Sequence, residues 1–252
     1  MHTLHPVRRL TLHRSLLSVV LSLSVLLSTL VAAQDASYTF TTIDIPSVMV
    51  TSVQGINTNG HIVGTILDDD GIDERGFLKE GDAFTRINVE NSRFTYAQGI
   101  NDAGHIVGVF YDMAGGIHGF LTSDRGITFT TIDAPDARFT WAYGINTKGQ
   151  IVGFFDIDGV GHGFILNGTT FTRIDAPGAT VATIPYEINT AGQIVGEFND
   201  DTRPYGFLTS DWTTFTTIDV PAATATEAYS INNHGEHAIP LRGRRERRTL
   251  MC

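Results

Sequence analysis

Aromatic residues gather in one place of the sequence, over and over. Phe94 and Tyr96 precede Ile100-Asn101, and Phe139, Trp141 and Tyr143 precede Ile145-Asn146. Tyr186 precedes Ile188-Asn189, and Tyr229 precedes Ile231-Asn232. Such rings offer a large apolar face, and Tyr and Trp add a polar tip, which suits stacking on a sugar or a peptide. Two arrangements are open. If the preceding loops line one face, Tyr96 and Trp141 form a stacking platform with Tyr143 and Tyr186 beside them. If the strands merely alternate, the same rings pack between neighbouring units. Glu187 stands out differently, because it occupies a position where the other units carry Gly or Ser. A carboxyl in a cleft there suits acid chemistry. A glycosidase, however, needs two carboxyl groups at a defined separation, and Glu197 is the only other Glu close by in sequence.

Other chemistry is harder to assemble. The sequence has no Gly-x-Ser-x-Gly elbow, no His-Glu-x-x-His pair and no phosphate loop, and its only cysteine is Cys252. No catalytic set is therefore expected. His118 and His162 share a repeat position with Arg75 and Tyr205. That mixture points to structural hydrogen bonding rather than to metal ligation. Asp68-Asp69-Asp70-Gly71-Ile72-Asp73 and Asp156-Ile157-Asp158-Gly159 look like pieces of calcium loops. Neither continues to a closing Glu, and Asp with Gly is ordinary turn chemistry. No metal and no cofactor is expected.

The elements that must position these residues come from a repeat. Ile-Asn recurs at 56, 100, 145, 188 and 231, and Ile-Val-Gly at 62, 106, 151 and 194. Gly-Phe follows at 76, 119, 163 and 206. A Thr/Arg-Ile-Asp/Asn block keeps phase, from Thr42-Ile43-Asp44 to Thr217-Ile218-Asp219. Each unit reads as four short strands: a (Thr39 to Asp44 in the first unit), b (Thr51 to Ile56), c (His61 to Leu67) and d (Arg75 to Lys79). Asn-x-x-Gly, as in Asn57 to Gly60, is a hairpin turn between b and c. Four strands in about 44 residues is the size of one propeller blade. The fold class expected is all-β, a β-propeller of about five four-stranded blades. Grouping the strands as c, d, a and b leaves the last blade incomplete, two strands short.

Domain limits follow. Residues 1–33 read as a signal peptide, with Arg8, Arg9 and Arg14 ahead of an apolar run that ends in Val31-Ala32-Ala33. Residues 34–235 form the repeat domain, with units near 38–81, 82–126, 127–168, 169–212 and 213–235. Residues 236–252 leave the pattern in an Arg-rich tail, read as disordered or frameshifted.

The pattern Gly-Ile-Asn-x-x-Gly-x-Ile-Val-Gly, with an Asp-containing loop and then His-Gly-Phe, is clearest from Gly99 to Leu121 and from Gly144 to Leu166. It resembles the HAF repeat of bacterial extracellular repeat proteins over nearly all of the chain up to Gly235. The His-Ala-Phe triplet of that family stands here as His118-Gly119-Phe120 and His162-Gly163-Phe164. The resemblance implies export and a repeat fold, and it carries no activity or site residue.

Charge narrows the partners. Between Gln34 and Pro240 lie 9 basic residues against 26 acidic ones. That field repels nucleic acid and anionic lipid. The expected protein is secreted, to the exterior or the periplasm, with no membrane contact after signal cleavage. A non-catalytic binding or interaction module for carbohydrate or protein is the first reading. A carbohydrate-active enzyme on the same scaffold, or a structural envelope or surface component, are the alternatives.

Overall fold

The computed structural model describes residues 42–43, 45, 48–68, 71–242 and 248–251. The expected signal segment and most of strand a of the first unit lie outside the described residues. From Ile43 on, the chain is one compact unit. No helix among the described residues is long and apolar enough to cross a membrane.

The fold is all-β, and each repeat contributes an antiparallel meander. The first sheet orders β1 (Val48–Ile56), β2 (Ile62–Asp68), β3 (Glu74–Glu80) and β4 (Ala83–Ile87). The second orders β5 (Ser92–Ile100), β6 (Ile106–Asp112), β7 (Ile117–Thr122) and β8 (Thr130–Ile132). The third meander is β9 (Phe139–Ile145), β10 (Ile151–Ile157), β11 (Val160–Asn167) and β12 (Thr170–Ile174). The fourth is β13 (Ala182–Ile188), β14 (Ile194–Asn199), β15 (Pro204–Thr209) and β16 (Phe215–Ile218). One parallel pairing, Gly161 with Ala182, joins the third and fourth. A last sheet holds β17 (Ala225–Thr226), β18 (Ser230–Ile231), β19 (His237–Arg242) and β20 (Arg248–Met251).

The strands group as b, c, d and the following a, which corrects the expected c, d, a, b. The cause is local. The Asn-x-x-Gly turn is too tight to let b and c part: Gly60 N–H donates to Asn57 O at 3.0 Å, and Gly60 sits at φ +75°. The a-to-b connections are longer and pass to the next sheet. Those at Asn91 and Asp136 do so through left-handed residues, at φ 57° and 58°.

The tail also departs from expectation. The turn at Asn232 closes like the others, Asn232 N–H to Glu236 O at 2.9 Å. β19 then pairs Ile231 with His237, the register of Ile188 with Ile194. Residues 237–242 and 248–251 thus fill the two strand places expected to be missing. The exposed edge of β19 offers unpaired backbone groups that Arg248–Met251 takes up. Residues 243–247 lie outside the described residues.

The core lies between successive sheets. Phe77, Phe120, Phe164 and Phe207 are almost wholly buried, as the Gly-Phe recurrence predicts. One apolar cluster joins Val63, Leu78 and Ile87 to Ala97, Ile106 and Phe120. Another joins Val107 and Ile132 to Ala142, Ile151 and Phe164, and a third joins Val152, Ile165 and Ile174 to Ile188, Ile194 and Phe207. Stacking meanders face to face in sequence order gives a propeller-like arrangement.

Candidate functional site

The first strand of each sheet supplies most of the chemistry. Along β5 and β9, buried and half-buried residues alternate: Thr95, Ala97, Thr140 and Ala142 face the core, while Phe94, Tyr96, Phe139, Trp141 and Tyr143 are half-buried. In β13 the ring of Tyr186 is half-buried too. The pairing skips Gln54, Gln98, Tyr143 and Tyr186, so each of these strands bulges at the same repeat position. A bulge re-aims the side chain it carries.

The rings meet across the sheets. Tyr96 lies 5.9 Å from Tyr111, which lies 6.3 Å from Trp141. Trp141 continues to Tyr143 at 5.9 Å, Tyr143 to Tyr186 at 5.4 Å, and Tyr186 to Tyr229 at 4.7 Å. Phe154 backs this arc, stacked on Tyr143 at 6.0 Å. Both arrangements open in the sequence are therefore realised together: the rings pack from unit to unit and keep a half-exposed surface.

Carboxylates stand beside the arc. The Tyr96 hydroxyl donates to Glu74, and the Tyr229 hydroxyl donates to Glu227 Oε2 at 2.6 Å. Glu197 and Glu227 are buried. Burial, followed by the charge of Glu197, pushes the phenols of Tyr143 and Tyr186 far above their ordinary range, and Glu227 adds to the shift of Tyr186. These phenols stay protonated as hydrogen-bond donors at any physiological pH. Sequence reasoning brought Tyr96, Trp141, Tyr143 and Tyr186 forward and the structure gathers all four. It passed over Glu74, Tyr111, Phe154 and Glu227. A usable signal existed for one of them, Phe154: after Ile-Val-Gly the units carry Thr65, Val109, Phe154 and Glu197, so that position varies where its neighbours do not.

Glu187 serves a different surface. It lines a cavity of about 470 Å³ to which all five repeat units contribute the Ile-Asn turn. An amide ladder builds its wall. Asn57 Nδ2 donates to Asn101 O at 3.0 Å, Asn101 Nδ2 to Asn146 O at 3.0 Å, Asn146 Nδ2 to Asn189 O at 3.1 Å, and Asn189 Nδ2 to Asn232 O at 3.1 Å. Each Oδ1 meanwhile accepts from its own turn, as Asn146 does from Lys148 N–H and Gln150 N–H at 3.0 Å. Asn232 Nδ2 turns back instead to Glu236 Oε2 at 2.6 Å. The glycines before these Ile-Asn pairs let the first strands approach: a Cβ on Gly99 would lie 2.6 Å from Tyr143 O, and one on Gly144 2.8 Å from Tyr186 O. Glu187 stands out from that series, carrying a long side chain where the three units before it have Gly.

Burial pushes the Glu187 carboxyl up to about 7. Folding therefore takes up a proton there between the ordinary value, near 4.5, and about 7. Stability contributed by this group is fully present below the lower value and is lost as pH rises through the upper one. Glu187→Gln is expected to leave the melting temperature unchanged at pH 4, below the lower value. At pH 8 it should raise it, by on the order of 2 kcal/mol of stability. Thermal melts of both proteins at the two pH values check this.

Other polar residues pair with one another across the strands. His118 Nδ1 pairs with Asp133 Oδ1 at 2.8 Å, and His162 Nδ1 with Asp175 Oδ1 at 3.1 Å. In the fourth unit Arg203 takes the equivalent Asp219 through both oxygens at 2.7 Å. In the acidic loops, Asp112 Oδ1 accepts from Ala114 N–H and Gly116 N–H, and Asp68 holds Arg86. Among the described residues no three His, Cys, Asp or Glu side chains converge as a metal-binding set.

No protein-family model and no curated protein matches this sequence. Among solved structures, a protein described as a TolB from Agrobacterium tumefaciens is similar in fold, with a TM-score of 0.62 at 11% identity over 80% of this chain and 76% of that one. A streptogramin B lyase gives 0.48 at 13% identity over 82% and 70%. A lectin of Aleuria aurantia, solved with Fucalpha1-6GlcNAc, gives 0.44 at 13% identity over 77% and 71%. At these identities the likeness concerns the fold, and the chain shares an all-β, propeller-like architecture with the first of them.

Proposed function

We propose that this protein is an exported carbohydrate-binding module of the HAF-repeat kind, built as a five-bladed propeller. The observation that carries the reading is the aromatic arc from Tyr96 to Tyr229. It is continuous across four sheets, half-exposed, and edged by carboxylates. Sugar rings present C–H faces to such aromatics, and their hydroxyls donate to carboxylates or accept from phenols. The acidic field opposes anionic glycans, so neutral sugars and amino sugars fit best. The blade count rests on five Asn-x-x-Gly turns around one cavity. Export rests on the basic and apolar opening of the sequence.

Trp141→Ala should weaken binding of a neutral oligosaccharide roughly tenfold or more, the loss expected for one central aromatic anchor. Glycan-array screening followed by calorimetry on the best ligand measures it. Unchanged affinity in Trp141→Ala, or no glycan bound by the parent protein, would overturn the reading.

A second reading, a carbohydrate-active enzyme, is favoured by one observation: Glu197 and Glu227 are both buried and both act on the same phenol, that of Tyr186. Buried carboxyl pairs are the working parts of glycoside hydrolysis. Release of reducing ends from a bound oligosaccharide, abolished in Glu227→Gln with binding intact, would establish it.

A further inference from the structure

The cavity at the turn end of the first strands is separate from the aromatic arc, and none of the arc's rings lines it. Its size falls in the range of small-molecule sites, roughly 300–1,000 Å³. Its lining is built from repeated parts, the Ile-Asn turns, and so is nearly the same from every side. Against that background two carboxyl groups break the symmetry. Asp102 is already engaged, its Oδ1 accepting from Thr58 N–H at 2.9 Å. Glu187 receives one local bond, from the backbone at Ile188. Unit four alone carries a carboxyl at this repeat position.

The apolar part of the lining is also uneven. Ile100, Ile145, Ile188 and Ile231 are 2–8% exposed, whereas Ile56 is 66% exposed. The cavity thus offers one carboxylate, one open aliphatic wall and a rim of Asn and Thr. An anion is excluded by Glu187 and by the surrounding negative charge, and a neutral sugar leaves the carboxylate without a counter-charge. A short alkyl chain ending in a charged amine satisfies both features: the ammonium pairs with Glu187 and the stem lies on Ile56.

We propose that this cavity is a second binding site, specific for a primary alkylammonium group, with Glu187 as its counter-ion and Ile56 as its aliphatic wall. The chemistry is shared by a lysine side chain and by a free amine. Because an ammonium needs the ionised carboxylate, affinity rises as pH increases through neutrality and levels off above it.

The test is calorimetric titration of the full chain with n-butylammonium chloride, with Nα-acetyl-lysine methylamide, and with calcium chloride and n-butanol as controls. Both amines are expected to bind, several-fold more tightly at pH 8 than at pH 6. Glu187→Gln should lose at least tenfold in affinity while its thermal melt shows an intact fold. Ile56→Ser should weaken the amines less. Trp141→Ala should leave them unchanged, which keeps this site independent of glycan binding at the arc. Preference for the lysine derivative assigns the site to a peptide side chain, and equal binding assigns it to free amines. Amine binding unaffected by Glu187→Gln, calcium bound in preference to amines, or no heat from either amine would each overturn the proposal.

Discussion

Gly153→Ala is expected to be the most damaging single-methyl change in the protein. Gly153 sits in Ile151-Val152-Gly153 on β10, opposite the bulged part of β9. A Cβ there would lie inside the van der Waals surface of Trp141 O and 2.9 Å from Phe164 Cε1. Phe164 is fully buried, and the carbonyl belongs to the backbone of the neighbouring strand, so neither can give way. The clash opens the β9–β10 pairing beneath Trp141 and disturbs the core between the second and third sheets. Overpacking usually costs about 1–3 kcal/mol, and a backbone obstacle places this variant at about 3 kcal/mol or beyond. Gly149→Ala is the control. Gly149 lies at φ +77° with nothing near its missing Cβ, so the loss is only that of a left-handed alanine, about 1 kcal/mol. Urea melts of the two variants should separate them clearly. Equal midpoints would mean that the close approach does not hold the strands as described.

Asn146→Ala is the second large effect. The buried Asn146 side chain makes four hydrogen bonds: Nδ2 to Asn189 O at 3.1 Å and to Gln150 Oε1 at 2.8 Å, and Oδ1 from two backbone N–H groups of its own turn. Alanine leaves the buried carbonyl of Asn189 and the N–H of Gln150 without these partners. Each orphaned buried group costs on the order of 1–3 kcal/mol, so a total near 3 kcal/mol is expected. Asn146→Asp separates the two halves of the role. Its carboxylate still accepts from the turn but buries a charged oxygen against Asn189 O and Gln150 Oε1, so at neutral pH it should be at least as destabilising as alanine. Asn232→Ala should cost less, because Asn232 donates within its own turn to Glu236 and its side chain links to no further sheet.

These residues also show what the sequence made legible. The Asn-x-x-Gly turn was readable, since Asn accepts from its own following N–H groups and that pattern is local. The ladder was not, because its other half runs sideways to a residue 43–45 positions away. A repeat fixes period but not phase, so the strands were visible while their grouping into sheets was not. The aromatic candidates converged because they share one strand position. Tyr186 and Glu187 adjoin in sequence yet part company, the ring to the arc and the carboxyl to the cavity. Neighbours along a strand face opposite ways, and a bulge between them decides which is which. The irregular end, His237-Ala238-Ile239, lost the repeat pattern but kept enough β character to continue the sheet.

The amide ladder has a consequence for how such a chain is assembled. Each unit carries an amide that reaches forward and a carbonyl that is reached from behind. Both halves of this polar joint are thus repeated in each unit, beside the apolar packing of one sheet on the next. A gene segment that copies a unit copies both halves of that amide joint with it. Individual positions facing the arc or the cavity are then free to drift, as Gln54, Gln98, Tyr143, Tyr186 and Tyr229 have done at one repeat position, without loosening the connection.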